Sequence, residues 1–220
     1  MSAAVDLSSL LGPVRDQGHR STCLAFAATA AHELARQRRR GDPRPMLGEE
    51  LLYWRCKEID EDPEPGTTPG PATEALRNPG QSAAELWPYE GKRDETDGNW
   101  TPPLSALDQA AMLRASMLTI DTDPVALRGA LKEGHAIILG LDLWEEFFAA
   151  PGGAVGVPTK IDLLGEGHAV TLLGFSPDGS FVIRNSWGPT WGEDGLASID
   201  EAAIKIAALG AWTIEDDLDP

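Results

Sequence analysis

The sequence predicts an α+β protein, one large domain or two lobes around a cleft, mainly helical over residues 1–103 and mainly antiparallel β over residues 104–220. Three observations predict it. The alanine-rich run over residues 24–36 places Leu24, Phe26, Ala27, Ala30, Ala31 and Leu34 at spacings of two to four residues, as a buried central helix would. Apolar and β-branched runs cluster in the second half, at residues 136–143, 169–175 and 180–185. A chain of 220 residues, 42% hydrophobic, is long enough to bury a substantial core.

The elements follow in order. The first helix is expected over residues 23–39, and a loop through Pro43 and Pro45 ends it. A short helix over residues 48–56 carries Leu51, Leu52, Tyr53 and Trp54. Residues 57–70 are acidic and rich in proline and glycine, and read as a loop. Residues 71–76 form a short helix opened by Pro71 and ended by Pro79-Gly80. Residues 89–103 are a long polar connection in which the second lobe begins. Pro124–Lys132 is helical, and residues 136–143 form a strand. Strands over 169–175 and 180–185 form a hairpin through the turn Ser176-Pro177-Asp178-Gly179. Leu196–Ile199 and residues 211–214 are shorter strands, and the acidic tail over residues 215–220 is expected to fray.

Composition excludes several classes. The net charge is −17. No basic stripe for nucleic acid is visible beyond Arg36-Gln37-Arg38-Arg39-Arg40, which reads as a cationic helix C-terminus. No apolar run approaches the roughly 20 residues that span a bilayer, and residues 1–11 have no basic residue ahead of their apolar stretch, unlike a secretory leader. Two cysteines, Cys23 and Cys56, cannot make a multi-bridge secreted framework. They can pair with each other or both be free, and without a leader free thiols are expected.

Cys23 stands where a glycine-containing segment gives way to the first helix. Unpaired N–H groups and the positive helix end both favour thiolate there. On its own a helical cysteine reads as a buried small hydrophobe. A nucleophile also needs a base, and the base an orienting group. His19 is too near in sequence to fold back, and His32 lies nine positions along the same helix. His135 and His168 each follow a glycine at the head of an apolar strand. Only His168 has a hairpin behind it that returns to Asn185-Ser186-Trp187-Gly188. The Asn185 amide oxygen can fix the imidazole tautomer, and Trp187 can cover that bond. Gln17, six residues before Cys23, offers a side-chain amide over the same spot.

Three stretches resemble the papain-like (C1-type) cysteine peptidases. Gln17-Gly18-His19-Arg20-Ser21-Thr22-Cys23-Leu24-Ala25-Phe26 resembles the family's nucleophile segment, and Gly167-His168-Ala169-Val170 its histidine strand. Asn185-Ser186-Trp187-Gly188-Pro189-Thr190-Trp191-Gly192-Glu193-Asp194-Gly195 resembles its Asn-Ser-Trp-Gly block. His168 follows Cys23 by 145 residues, inside the family's own interval of about 130–150. Leu47-Gly48-Glu49-Glu50-Leu51-Leu52 and Trp87-Pro88-Tyr89-Glu90-Gly91 are weaker echoes.

The resemblance implies a papain-like two-lobe fold, with a β-barrel-like second lobe and the active site between the lobes. It implies Cys23 as a thiolate nucleophile against imidazolium His168, Asn185 as orienter, and Gln17 with the Cys23 N–H as oxyanion hole. It implies Trp187 as shield, and Gly66, Thr67, Thr68, Leu139, Gly167 and Ala169 as substrate contacts. The implied function is a cysteine-type endopeptidase working through an acyl-enzyme, with no metal and no cofactor. Alternatives are a catalytically silent peptide-binding scaffold on the same fold, or a transpeptidase or isopeptidase using the same thioester. The expected partners are a protein or peptide substrate and a dedicated regulatory or target protein, with neither nucleic acid nor membrane.

The departures shape expectation too. Arg20 stands where the family has a half-cystine, Leu24 where it has tryptophan, and Thr67 where it has the second of two glycines. About 16 residues precede Gln17, so the expectation is a disulfide-free member without an inhibitory prosegment. Its restraint would come from a partner, a missing region, the compartment or weak intrinsic activity. The expected location is the cytoplasm.

Overall fold

The computed structural model describes residues 4–41, 45–60 and 64–216. The first helix, α1 (Cys23–Arg40), is buried on all sides from Leu24 to Ala35. Its alanines let neighbouring elements approach closely, and they carry the high helix propensity that such an all-round buried helix keeps. Gly41 ends it in the left-handed conformation, and Arg38, Arg39 and Arg40 place positive charge at its C-terminus. Next come α2 (Glu49–Asp60) and α3 (Pro69–Arg77), which pack on each other and on α1. The second helix is longer than the sequence suggested: Lys57 to Asp60 continue it, because Ile59 packs against the core around α1. The third starts at Pro69 rather than Pro71, since Pro69 also suits a first helical turn. The expected proline at 43 and part of the 57–70 loop lie outside the described residues.

The second half begins with α4 (Leu104–Ala110) and β2 (Ala115–Ile120), neither of which the sequence pattern signalled. Then come α5 (Pro124–Lys132), β3 (Ile137–Asp142), α6 (Glu145–Ala149) and the two-residue β4 (Ala154–Val155). The chain continues through β5 (Gly167–Phe175), β6 (Phe181–Arg184), β7 (Leu196–Ile199), α7 (Glu201–Ala207) and β8 (Ala208–Asp216). Asp123 and Asp200 cap α5 and α7, accepting from the N–H groups of Val125 and Ala202. The expected hairpin is β5–β6, with Thr171 opposite Arg184 and a register shift between Leu172 and Gly174.

One sheet runs β2-β8-β3-β5-β6-β7-β4, with β1 (Val5–Asp6) also paired to β5. It is antiparallel except for the β4–β7 pair, and it is open, ending on β2 and β4, so the expected barrel-like closure is absent. Residues 211–214 belong to a longer strand that includes Glu215 and Asp216; the rest of the expected frayed tail lies outside the described residues. Both cores meet on β5. Ala169 and Leu173 face α1, while Val170 and Leu172 face the cluster of α5, α6 and α7. This alternation follows from the two-residue period of a strand, and it puts His168 on the face of Val170 and Leu172, with its ring against Phe147 of α6.

Candidate active site

Cys23 is the first residue of α1, half-buried, and both it and Cys56 are free thiols. The N–H of Ala169 donates toward its sulfur, alongside the N–H groups of Cys23 and Leu24. Because Ala169 follows His168, that contact sets the thiol beside the histidine strand. His168 Nε2 lies 2.8 Å from Asn185 Oδ1, and both residues are buried. Asn185 Oδ1 also accepts from the Ser186 N–H at 2.8 Å. An amide oxygen only accepts, so Nε2 carries the proton and Nδ1 is left as the basic nitrogen.

Aromatic rings enclose this pair. Trp187 lies over His168 with ring centroids 4.7 Å apart, and Phe147 meets the imidazole edge-on at 5.8 Å. Phe148 stacks on the outer face of Trp187, and Trp191 donates its indole N–H to the Phe147 carbonyl. Desolvation by these rings pushes the His168 imidazole down to about 4, against the opposing bond from Asn185. Burial pushes the Cys23 thiol up, against its three N–H partners. Burial thus works against a lone charge on either group. The ion pair forms only by proton transfer between them, when each new charge offsets the other's desolvation.

Gln17 is buried too. Its Nε2 donates to the Arg20 carbonyl at 2.7 Å, and its Oε1 accepts from the Ser186 hydroxyl at 2.6 Å. The second Nε2 hydrogen is thus aimed by two fixed partners. The segment is paired to the Asn-Ser-Trp turn through Gln17 N–H to Ser186 O, Gly188 N–H to Arg15 O, and the Asp16–Trp187 bridge. Tyr89 donates to the Gln17 carbonyl and accepts from the Thr22 hydroxyl. Gly18 has φ +63° and lies so close to Gly91 that a Cβ would stand 2.7 Å from the Gly91 carbonyl oxygen. That contact accounts for glycine at both positions.

A groove of about 290 Å³ opens beside the sulfur, lined by Cys23, Ser21, Gly66, Thr67, Thr68 and Gly167 among others. Five of the residues singled out from sequence meet there. Leu139 does not: it is fully buried, opposite Val170, in the core on the far face of the sheet. Its neighbour Gly140 is the β3 residue opposite Ala169 and so shares the α1 face. A shift of one residue along a strand exchanges faces, and a sequence match fixes register no better than that. Ala169 is buried under α1 and meets the sulfur through its backbone. His135, set aside from sequence, is remote, bonded to Arg38. Ser186, Phe147, Phe148 and Tyr89 were not singled out; Ser186 carried a signal in its place between Asn185 and Trp187, and Tyr89 in its short aromatic segment.

The model for papain family cysteine proteases matches residues 2–210. The chain belongs to the papain family. It is 24% identical to an uncharacterized peptidase C1-like protein of Acanthamoeba polyphaga mimivirus, covering 93% of this chain and 70% of that one. It is 27% identical to cathepsin J of Rattus norvegicus over 85% of this chain, spanning 56% of that protein's length. Xylellain, a cysteine protease from Xylella fastidiosa, has the same fold, with a TM-score of 0.88 at 24% identity, covering 99% of this chain and 87% of that one. This papain-family member is thus placed among peptide-bond hydrolases that use cysteine.

Proposed function

We propose that the chain is a cysteine-type endopeptidase in which Cys23 attacks the peptide carbonyl and His168 takes the thiol proton on Nδ1. Asn185 holds the imidazole through Nε2, and the new oxyanion lies between the Gln17 side-chain amide and the Cys23 N–H. One such donor is worth on the order of 10²–10³ in rate. The proton then passes from His168 to the leaving amine, and water, deprotonated by the same nitrogen, releases the acyl group from sulfur. The observation that carries this reading is the 2.8 Å His168–Asn185 bond, which fixes the tautomer and leaves Nδ1 basic. Gly66, Thr67, Thr68 and Gly167 would flank the bound peptide, and Trp187 would keep water from the histidine.

Two further readings accompany it. A single peptidase domain has a mainly helical lobe over residues 1–103 and a mainly β lobe over residues 104–220, with Ala106 and Ala110 of α4 packing back on Leu51 and Trp87 of the helical lobe. A reducing compartment such as the cytoplasm suits an enzyme whose two cysteines are both free. Among the described residues no helix is long and apolar enough to cross a membrane.

The test is Cys23→Ala. Turnover of a peptide library should vanish while the circular dichroism spectrum and melting temperature stay near those of the parent. A peptidyl epoxide should add its mass to Cys23 alone. Persistent cleavage by the alanine variant would overturn the assignment, and an unlabelled Cys23 would favour the scaffold.

A further inference from the structure

Arg20, three residues before the nucleophile, is almost fully buried and is held on several sides. Its Nη1 donates to Glu50 at 2.7 Å and to the Glu90 carbonyl at 3.2 Å, and its Nε donates to Glu95 Oε1 at 2.9 Å. The guanidinium carbon lies 4.9 Å from the Tyr89 ring centre, 5.3 Å from Tyr53 and 5.5 Å from Trp100. Trp100 donates its indole N–H to the second oxygen of Glu50 at 2.6 Å. Burial opposes the charge, but the two carboxylates prevail and hold the guanidinium protonated.

The second oxygen of Glu95 continues the chain of contacts. It accepts from the Tyr53 hydroxyl at 3.0 Å, and the same hydroxyl accepts from the Gly66 N–H at 3.1 Å. Gly66 lines the groove beside Cys23, and its α-carbon faces Ser21, the residue after Arg20. At the other end, the Arg20 carbonyl seats the Gln17 amide. The series Gln17–Arg20–Glu95–Tyr53–Gly66 therefore runs without a break from the oxyanion side of the site to the wall of its substrate groove.

We propose that Arg20, Glu95 and Tyr53 are positioning residues that set the wall at Gly66–Thr67 against the nucleophile loop, fixing where an extended peptide lies relative to Cys23. This rests on the peptidase reading above. None of the three touches the reacting atoms. Tyr53 acts on the wall alone, whereas Arg20 acts on both the wall and Gln17. Loss of Tyr53 should thus weaken peptide binding and spare sulfur chemistry, and loss of the Arg20 fork should reach the chemical step.

The experiment compares Tyr53→Phe, Glu95→Gln and Arg20→Lys with the parent, each normalised by active-site titration so that only folded enzyme is counted. Tyr53→Phe keeps the ring over Arg20 and removes one hydroxyl shared by two bonds. Its KM for a peptide of four or more residues should rise about fivefold, with kcat within about twofold. Alkylation of Cys23 by iodoacetamide should keep its parent rate, while labelling by a peptidyl epoxide slows by the same factor as KM. Glu95→Gln should move in the same direction. Arg20→Lys, which cannot reach Glu50 and Glu95 in one plane, should lower kcat as well. Unchanged KM in both Tyr53→Phe and Glu95→Gln, or equal slowing of both labelling reactions, would overturn the proposal. Absence of Cys23 labelling in the parent would instead show that the peptidase reading itself has failed.

Discussion

At the scale of single residues, the chemistry proposed above rests on two groups that burial drives in opposite directions. The active pair holds one proton between Cys23 and His168. It is lost in acid when the imidazole gains a second proton, and in alkali when the thiol gives up the last one. Because burial lowers His168 to about 4 and raises Cys23, the acid limb shifts down and the alkaline limb up. The kcat/KM profile should be broad, with half-maximal activity near pH 4 on the acid side and above the ordinary thiol range on the alkaline side. An acid limb near 6.5, the usual imidazole value, would show that the rings do not exclude water from His168. The residues proposed to carry this chemistry were legible because each belongs to a short block with distinctive composition. Ser186 was not singled out, since its role depends on Gln17, far away in sequence and brought close only by backbone pairing.

At the scale of elements, strands and helices with a clear apolar period were read well. Pro124–Lys132 and Leu196–Ile199 have the bounds expected, and α1 differs by one residue at its end. The segments missed have weaker patterns. Short α4, α6 and α7 show too few turns for a period to emerge, and β2 has exposed Leu118 and Thr119 in its middle. Register was the harder matter, as Leu139 shows. Leu139→Ala should cost about 2–5 kcal/mol, as for other fully buried leucines. It should leave the peptide preference of the enzyme unchanged, because the side chain faces away from the groove. A chemical denaturation curve measures the first quantity, and a positional-scanning library measures the second. A shifted preference would place Leu139 at the substrate after all.

For the whole molecule, the telling feature is charge buried between the helices and the nucleophile loop. Arg15 bridges Glu33 at 2.9 Å and Glu49 at 2.8 Å, beneath the segment that carries Gln17. Burial raises Glu49 to about 7, with Arg15 opposing the rise. A carboxyl raised in the folded state binds its proton more tightly there than in the unfolded chain. Its ionisation therefore costs stability above about pH 7, and the cost fades as pH falls toward 4.5. Glu49→Gln removes that titration. Relative to the parent, the variant should be better placed at pH 8 than at pH 5 by on the order of 2 kcal/mol. Melting curves at the two pH values would check this, and a difference of opposite sign would refute it. None of this burial was visible from composition, which shows only a chain with many acids.

The far end of α1 has a consequence for the order in which the enzyme comes into being. His32, fully buried on that helix, bonds Gln81 and Asp216, and Arg36 and Arg40 bond Asp216 as well. Arg39 donates to the Asp216 carbonyl. The helix that begins with Cys23 is thus moored by a residue made almost two hundred positions later. A ribosome releases Cys23 early, yet neither His168 nor the mooring at Asp216 exists until synthesis has passed them. On the reading proposed above, the thiol is therefore without its base, and its helix without this mooring, while the 193 residues from Cys23 to Asp216 are being made.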